Sequence, residues 1–201
     1  MSAGLVQVET SLANSQNRSR DKFVLVQDCF RHFDLKSIGS DNIHLSLFEM
    51  PGAFVFGNDG CEKMITQMWE LVTKILWIDP QRIWVSYFGG DTFEHHELPK
   101  DELSYQTWKD IGIPEDRLIG LGIKHNYWIQ GNGSNNGTSH LRKCGPNTEL
   151  FYDLGIEYSC GPHCRPGCRC GRFIEFANSL FILYNLHPKK NVLTPMDDPY
   201  S

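Results

Sequence analysis

Residues 29–57 read CFRHFDLKSIGSDNIHLSLFEMPGAFVFG, and the reading of this stretch decides the fold. Just before it, Phe23, Val24, Leu25 and Val26 form an apolar run that Arg31 closes. After a short polar connection, Leu45, Leu47 and Phe48 lead into Phe54, Val55 and Phe56, with Glu49 inside the run. The pattern predicts a strand, a turn and a second strand carrying opposite charges. A charge inside an apolar run asks for a partner or a ligand. Two readings stand at this point: Arg31 and Glu49 face each other across a hairpin as a structural ion pair, or they line a binding site.

The spacing carries a resemblance. Cys29-Phe-Arg31, then Asp34-Leu-Lys-Ser-Ile-Gly39, then Phe48-Glu-Met-Pro-Gly-Ala-Phe-Val-Phe-Gly57 closely resembles motif 2 of the class II aminoacyl-tRNA synthetases, specifically the catalytic domain of the alanyl-tRNA synthetases. The resemblance implies an α/β (α+β) fold: a mainly antiparallel sheet flanked by helices. It also implies ATP-dependent activation of an amino acid, alanine or a small analogue, with Mg²⁺, for transfer to tRNA or another acceptor. In that chemistry the amino-acid carboxylate attacks the α-phosphorus of ATP, and positioning with charge neutralisation does most of the work. Arg31 would neutralise the α-phosphate and carboxylate, Glu49 would orient the adenine amino group or ribose, and Phe54 or Phe56 would offer a stacking face. The loop between Arg31 and Asp34 is shorter than in typical members, so the contact this loop makes with the tRNA acceptor end is not expected to carry over.

Length and composition set bounds. The chain has 201 residues with 40% hydrophobic content, enough to bury one good core and without the bias of a disordered protein. A formal charge of −5 argues against a general polyanion binder, since nonspecific nucleic-acid affinity comes from clustered Lys and Arg. No apolar run approaches a membrane span, and the first twenty residues lack a signal-peptide pattern. A cytoplasmic location is expected. Asn132-Gly-Ser and Asn136-Gly-Thr have the form of glycosylation sites but read here as a polar loop. Seven cysteines in a reducing compartment point to metal binding rather than disulfides.

In chain order, residues 1–22 are a polar lead-in and residues 23–201 a partial synthetase-like domain. Met64, Met68, Leu71, Val72, Ile75 and Leu76 define one face of a helix over residues 60–77, which Pro80 ends. Arg82 to Phe88 alternates and is rich in β-formers, so it reads as a strand. His95, His96 and Glu97 read as solvated surface, because adjacent histidines on a loop do not readily face one ion. A short helix is expected over residues 101–110, then a turn and strand through Gly112-Ile-Pro-Glu-Asp-Arg-Leu-Ile119, and a strand at Asn126-Tyr-Trp128. The last two segments again resemble the family, in which an aromatic at the place of Trp128 walls the amino-acid pocket. Residues alone leave Trp128 equally readable as core.

A Gly/Asn/Ser-rich loop is expected over residues 131–146. It leads to Cys144-Gly-Pro-Asn-Thr-Glu-Leu-Phe-Tyr-Asp153, similar to the family's Cys-Gly-Pro-Cys-x-Glu-Ile-Phe-Tyr-Asp, with Asn147 in place of the second Cys. Glu149 and Asp153 lie four apart on a predicted strand and share a face. On the active-site side they would help hold Mg²⁺, ATP or an amino group; elsewhere they are solvated charges.

The run from Cys160 through Cys164 and Cys168 to Cys170 sets four thiols among Gly and Pro turns and suits a tetrahedral thiolate site for Zn²⁺, with His163 as a substitute ligand. An iron–sulfur cluster and plain buried or redox cysteines are the other readings; the spacing matches no common cluster run. The knuckle replaces an acidic insertion of typical members. Arg172 to Asn185 then resembles a family segment whose polar positions bound the substrate, aligning with Glu175 and Asn178; Ala177 stands in place of a Trp. A Glu and an Asn within so apolar a stretch are expected to require buried partners, which a bound amino acid or metal-bound phosphate would supply.

The resemblance runs from about Val24 to Pro195. The family's motif-3 segment, which completes the ATP site and grips the substrate amine, is not recognisable in these residues, so a partner chain supplying it is expected if the domain is active. A second reading from another class is a non-catalytic, zinc-stabilised paralogue that binds a nucleotide or a partner protein, and a third is a synthetase fragment.

Overall fold

The computed structural model describes residues 22–30, 35–40, 44–56, 60–93, 96–130, 141–187 and 192–201. The chain divides into two compact units, Met1–Gly57 and Asn58–Ser201. Arg31, Asp34, His95, the lead-in before Lys22 and the Gly/Asn/Ser run at 131–140 lie outside the described residues.

The first unit contains the expected strand pair. β1 (Lys22–Phe30) and β2 (Leu47–Val55) pair antiparallel in one unbroken register from Lys22 opposite Val55 to Phe30 opposite Leu47. Because side chains alternate along a strand, one face carries Val24, Val26, Asp28, Phe30, Leu47, Glu49, Pro51 and Ala53. The other carries Phe23 opposite Phe54 and Cys29 opposite Phe48. Phe23 also meets Phe56 edge-on, with ring centroids 5.8 Å apart.

The second unit is organised on one long strand, β8 (Arg142–Asp153). Around it run β3 (Ile83–Phe88), β6 (Leu118–Leu121), β7 (Tyr127–Ile129), β9 (Phe173–Leu180), β10 (Ile182–His187) and β11 (Val192–Tyr200). β7 and β10 both pair with Cys144 and therefore take opposite edges of β8; β3 and β9 do the same further along, both pairing with Leu150. β9 and β10 follow one another on one edge, where the Phe181 N–H between them donates to the Pro146 carbonyl at 2.9 Å. Every pairing is antiparallel except β3 with β6. The loop expected over 131–146 thus ends earlier than its composition suggests. Arg142 to Pro146 belong to β8, and glycine at 145 is required because a Cβ there would overlap the Phe181 carbonyl oxygen. A short hairpin, β4 (Asp91–Phe93) with β5 (His96–Leu98), takes up the polar segment around His96.

Two helices lie on the sheet face that carries Leu150 and Val85. α1 (Cys61–Glu70) and α2 (Glu102–Ile111) bury Ile65 and Trp108 in one core with Val72, Ile83, Val85, Tyr87, Ile113, Leu118, Leu150 and Phe181. α2 starts where Asp101 accepts from the Ser104 N–H at 3.0 Å and stops at Gly112, which has φ +100°, the signals expected of a capped helix. The helical face expected from Met64 to Leu76 is corrected beyond Glu70. Leu71–Ile75 form a π-turn, closed by the Leu76 N–H on the Leu71 carbonyl, and the extra residue per turn rotates Leu71, Ile75 and Leu76 to solvent. Among the described residues no helix is long and apolar enough to cross a membrane.

Candidate functional site

The helices cover one face of β8; the chemistry collects on the other. Alternation puts Gly145, Asn147, Glu149, Phe151 and Asp153 on that second face. Register adds their neighbours: Trp128 opposite Gly145, Ser86 and Asn178 flanking Glu149, Trp84 and Glu175 flanking Phe151. Three of the residues singled out in sequence, Trp128, Glu175 and Asn178, therefore share a face with Glu149.

Glu175 and Asn178 reach a common face only because of an irregularity. Three residues apart on a regular strand, they would point to opposite sides. Between the pairs Leu150–Ala177 and Phe151–Glu175 the register shifts by one, with Phe176 as the extra residue in β9, and such a bulge re-aims the side chains beyond it. The Asn178 amide then donates to the Glu175 carboxylate at 3.2 Å, and both residues are exposed, not buried as expected, because this face of β9 is not covered by the helices. Ala177 turns the other way, into the helix-side core.

Behind this pair lies a buried polar network that sequence reading did not assemble. Asn126 donates to Ser86 Oγ at 2.9 Å and to the Asn147 carbonyl at 3.1 Å; Ser86 donates to Glu149 at 3.3 Å, and the Asn147 amide donates to Glu149 at 2.8 Å. All four residues are buried, and among the described residues the side-chain oxygens of Asn126 and Asn147 have no hydrogen-bond partner. Burial first, and the charge of Glu175 second, raise the Glu149 carboxyl to about 7 against the opposing hydrogen bonds from Asn147 and Ser86. The face thus offers oxygen acceptors and a carboxylate that gains by meeting a cation. The sequence signals for it were Glu149 on a predicted strand and a serine inside the apolar strand Ile83–Phe88.

Asp153, the other acid on this face, is already satisfied. Arg172 grips it with two hydrogen bonds at 2.7 and 2.6 Å, and the Gly155 N–H adds a third at 2.9 Å. Burial opposes its ionisation, yet the Arg172 and Gly155 hydrogen bonds outweigh it and hold the carboxyl below its ordinary range. It is a structural ion pair.

Of the four knuckle thiols, the sulfurs of Cys160, Cys164 and Cys170 lie within 4.8 Å of one another, and Cys164 and Cys170 are 3.4 Å apart; Cys168 and His163 are not in that group. Burial opposes ionisation of Cys164, but hydrogen bonds from the Cys160 backbone, Ser159, Cys170 and Cys160 bring it down to about 6. Cys160, bonded to Cys164, Cys170 and Cys168, is pushed up to about 12. One thiol is thus held below the ordinary thiol range and another above it, the coupling expected of sulfurs that share protons.

In the hairpin unit, Glu49 is exposed and stands directly opposite Asp28. Two acids opposite one another repel, so this pair favours a cation or an N–H donor. Phe54 and Phe56 belong to the opposite face of the hairpin from Glu49. Register therefore puts the expected stacking surface and the Glu49 carboxylate on opposite faces of the hairpin. Arg31, the remaining motif residue, lies outside the described residues.

A family model described as "tRNA synthetases class II (A)" matches residues 1–199. Among curated proteins, an alanine–tRNA ligase of Dehalococcoides mccartyi strain CBDB1 is 36% identical over 184 residues, covering 91% of this chain and 19% of that protein. An alanine–tRNA ligase of Alkaliphilus metalliredigens is 32% identical over 206 residues, covering 98% and 21%, and one of Clostridioides difficile strain 630 is 35% identical over 180 residues, covering 85% and 18%. The chain spans about a fifth of the length of these curated relatives.

Proposed function

The chain belongs to the class II tRNA synthetases, and on that premise we propose that it carries the amino-acid-binding part of an alanine–tRNA-ligase-like activating site. The observation that carries this reading is the β9 bulge. It brings Glu175 and Asn178 to the face that also carries Trp128 and Glu149, and polar groups sharing a sheet face with an aromatic residue support a binding surface for an amino acid.

Trp128 bounds the side chain of the amino acid, and Asn178 with Glu175 fixes its polar end. Arg31 draws the carboxylate and the α-phosphate together by neutralising charge on both, the step that a bimolecular displacement between two anions needs most. Glu49 orients the adenine amino group or the ribose, and Phe54 or Phe56 supplies a stacking face; with Glu49 on the other side of the hairpin, these contacts address different parts of the nucleotide. Glu149, Glu175 and Asn178 offer the oxygen ligands that a hard cation such as Mg²⁺ prefers; bound there, it would neutralise phosphate charge. Zn²⁺ suits the thiols among Cys160, Cys164, Cys168 and Cys170. Contacts to the β- and γ-phosphates and to the substrate amine come, in this reading, from a segment outside residues 1–201, on the same polypeptide or on a partner, and the acceptor is tRNA or another nucleophile.

The test is amino-acid-dependent pyrophosphate exchange across all amino acids, for residues 1–201 alone and with a polypeptide carrying a motif-3-like segment. Slow exchange that the added segment raises, with alanine or a small analogue preferred, supports the proposal. Losing one charge-assisted phosphate contact costs about 3 kcal/mol, on the order of a hundredfold in rate, so the isolated segment should be slow. Nucleotide binding should fall in Arg31→Ala. Binding without exchange under every condition favours the non-catalytic reading, and undiminished binding in Arg31→Ala removes the role assigned to Arg31.

A further inference from the structure

The Cys knuckle does not stand apart from the sheet. Cys164 and Cys170 pack with Phe151, Phe173 and Trp84 in one cluster, and Trp84 meets Phe173 with ring centroids 5.0 Å apart. These aromatic residues lie on β8, β9 and β3. Two residues beyond Cys170, Arg172 stacks over the Phe173 ring at 4.7 Å while binding Asp153 of β8 with both arms of its guanidinium. β9 starts at the next residue and carries Glu175 two positions further on.

Tight turns hold the knuckle backbone together. The Cys164 N–H donates to Gly161 and the Cys168 N–H to Arg165, each at 3.1 Å, and Gly161, Gly167 and Gly171 take positive φ at the bends. Thiolates around a tetrahedral zinc at about 2.3 Å stand about 3.8 Å apart. Cys160, Cys164 and Cys170, mutually within 4.8 Å, fit that spacing; Cys168 hydrogen-bonds Cys160 but is not within that distance of all three sulfurs. Three thiolates on a divalent cation leave one negative charge and four leave two; the lesser charge suits a site packed against an aromatic cluster.

We propose that Cys160, Cys164 and Cys170 alone suffice to hold a zinc-class divalent cation, with Cys168 dispensable, and that this ion clamps the start of β9 so that the Arg172–Asp153 pair and the bulge beyond it keep their register. This rests on the metal reading of the knuckle given above and sharpens it: the ion is a positioning device for the strand that bears Glu175 and Asn178. Its reach is specific, because the thiols touch β8, β9 and β3 through the aromatic cluster.

The experiment uses the full chain loaded with Co²⁺ as an optical probe for zinc. Cys168→Ser should bind one equivalent with the thiolate-to-cobalt absorption of the unsubstituted chain, while Cys160→Ser and Cys170→Ser should lose tight binding. Stripping the ion with a chelator should speed amide hydrogen exchange across residues 173–180 at least tenfold and leave α2 unchanged. Loss of the ion in Cys168→Ser overturns the three-thiolate set. Unchanged exchange in β9 after stripping overturns the clamp. Failure of the unsubstituted chain to bind any ion overturns the metal reading itself, and none of these results depends on adenylate chemistry, which pyrophosphate exchange reports separately. The Cys168→Ser and chelator arms stand even if the other cysteine variants do not fold.

Discussion

Glu149→Gln should raise the stability of the protein at pH 8 and leave it nearly unchanged at pH 4.5. The carboxyl is buried, faces Glu175 and is raised from an ordinary 4.5 to about 7. The folded state therefore binds a proton more tightly than the unfolded chain, and unfolding stability falls as pH rises between those two values, then levels off. A difference of roughly 2.5 pH units corresponds to about 3 kcal/mol. Glutamine keeps the size and an oxygen to accept from Asn147, and its amide N–H₂ supplies a donor among buried oxygens that include the unpartnered ones of Asn126 and Asn147. Imperfect geometry reduces the gain, so an increase of about 2 kcal/mol at pH 8 is expected. Urea unfolding of both proteins at pH 4.5 and pH 8 measures it, because other titrations cancel in the difference between them. An equal difference at the two pH values, or a loss of stability at pH 8, would refute the argument from burial.

Gly145→Ala should destabilise by about 3 kcal/mol or more, since the new methyl meets the Phe181 backbone rather than a movable side chain; thermal unfolding with Tm within a degree of the unsubstituted chain would contradict the close approach. Trp77, 84% exposed with φ +59°, holds a left-handed conformation that costs a side chain about 1 kcal/mol, so Trp77→Gly should keep or raise Tm despite glycine's entropy. Arg172→Met should cost about 3 kcal/mol at neutral pH, because it strands a carboxylate that is only 14% exposed. Asp153 is held below its ordinary 3.8, so the stabilisation from its ion pair is present above that value and is lost as pH falls through the depressed one. The Met variant should lack that acid-linked loss in denaturation curves taken from pH 5 to pH 2.

The sequence by itself determined the elements whose causes are local. Apolar runs from Phe23 to Val26 and from Leu45 to Phe56 determined the hairpin; Asp101 and Gly112 delimited α2; the cysteine spacing from Cys160 to Cys170 marked a knuckle. Family membership was legible too, because motif spacing is a property of the chain. Tertiary structure decided whatever depends on a partner distant in sequence. A regular strand would point Glu175 and Asn178 to opposite faces, and only pairing with β8 put the extra residue at Phe176 and brought them together. The burial of Glu149 follows from strands on both its edges and from Ser86, Asn126 and Asn147 closing around it. The same holds for Asp153, which shares the spacing of an active-site acid until Arg172 is seen to occupy it. A strand's own residues state which side chains alternate; which neighbour they meet, and whether a carboxylate ends in solvent, in an ion pair or in a dry polar network, is set by long-range pairing that no local pattern encodes.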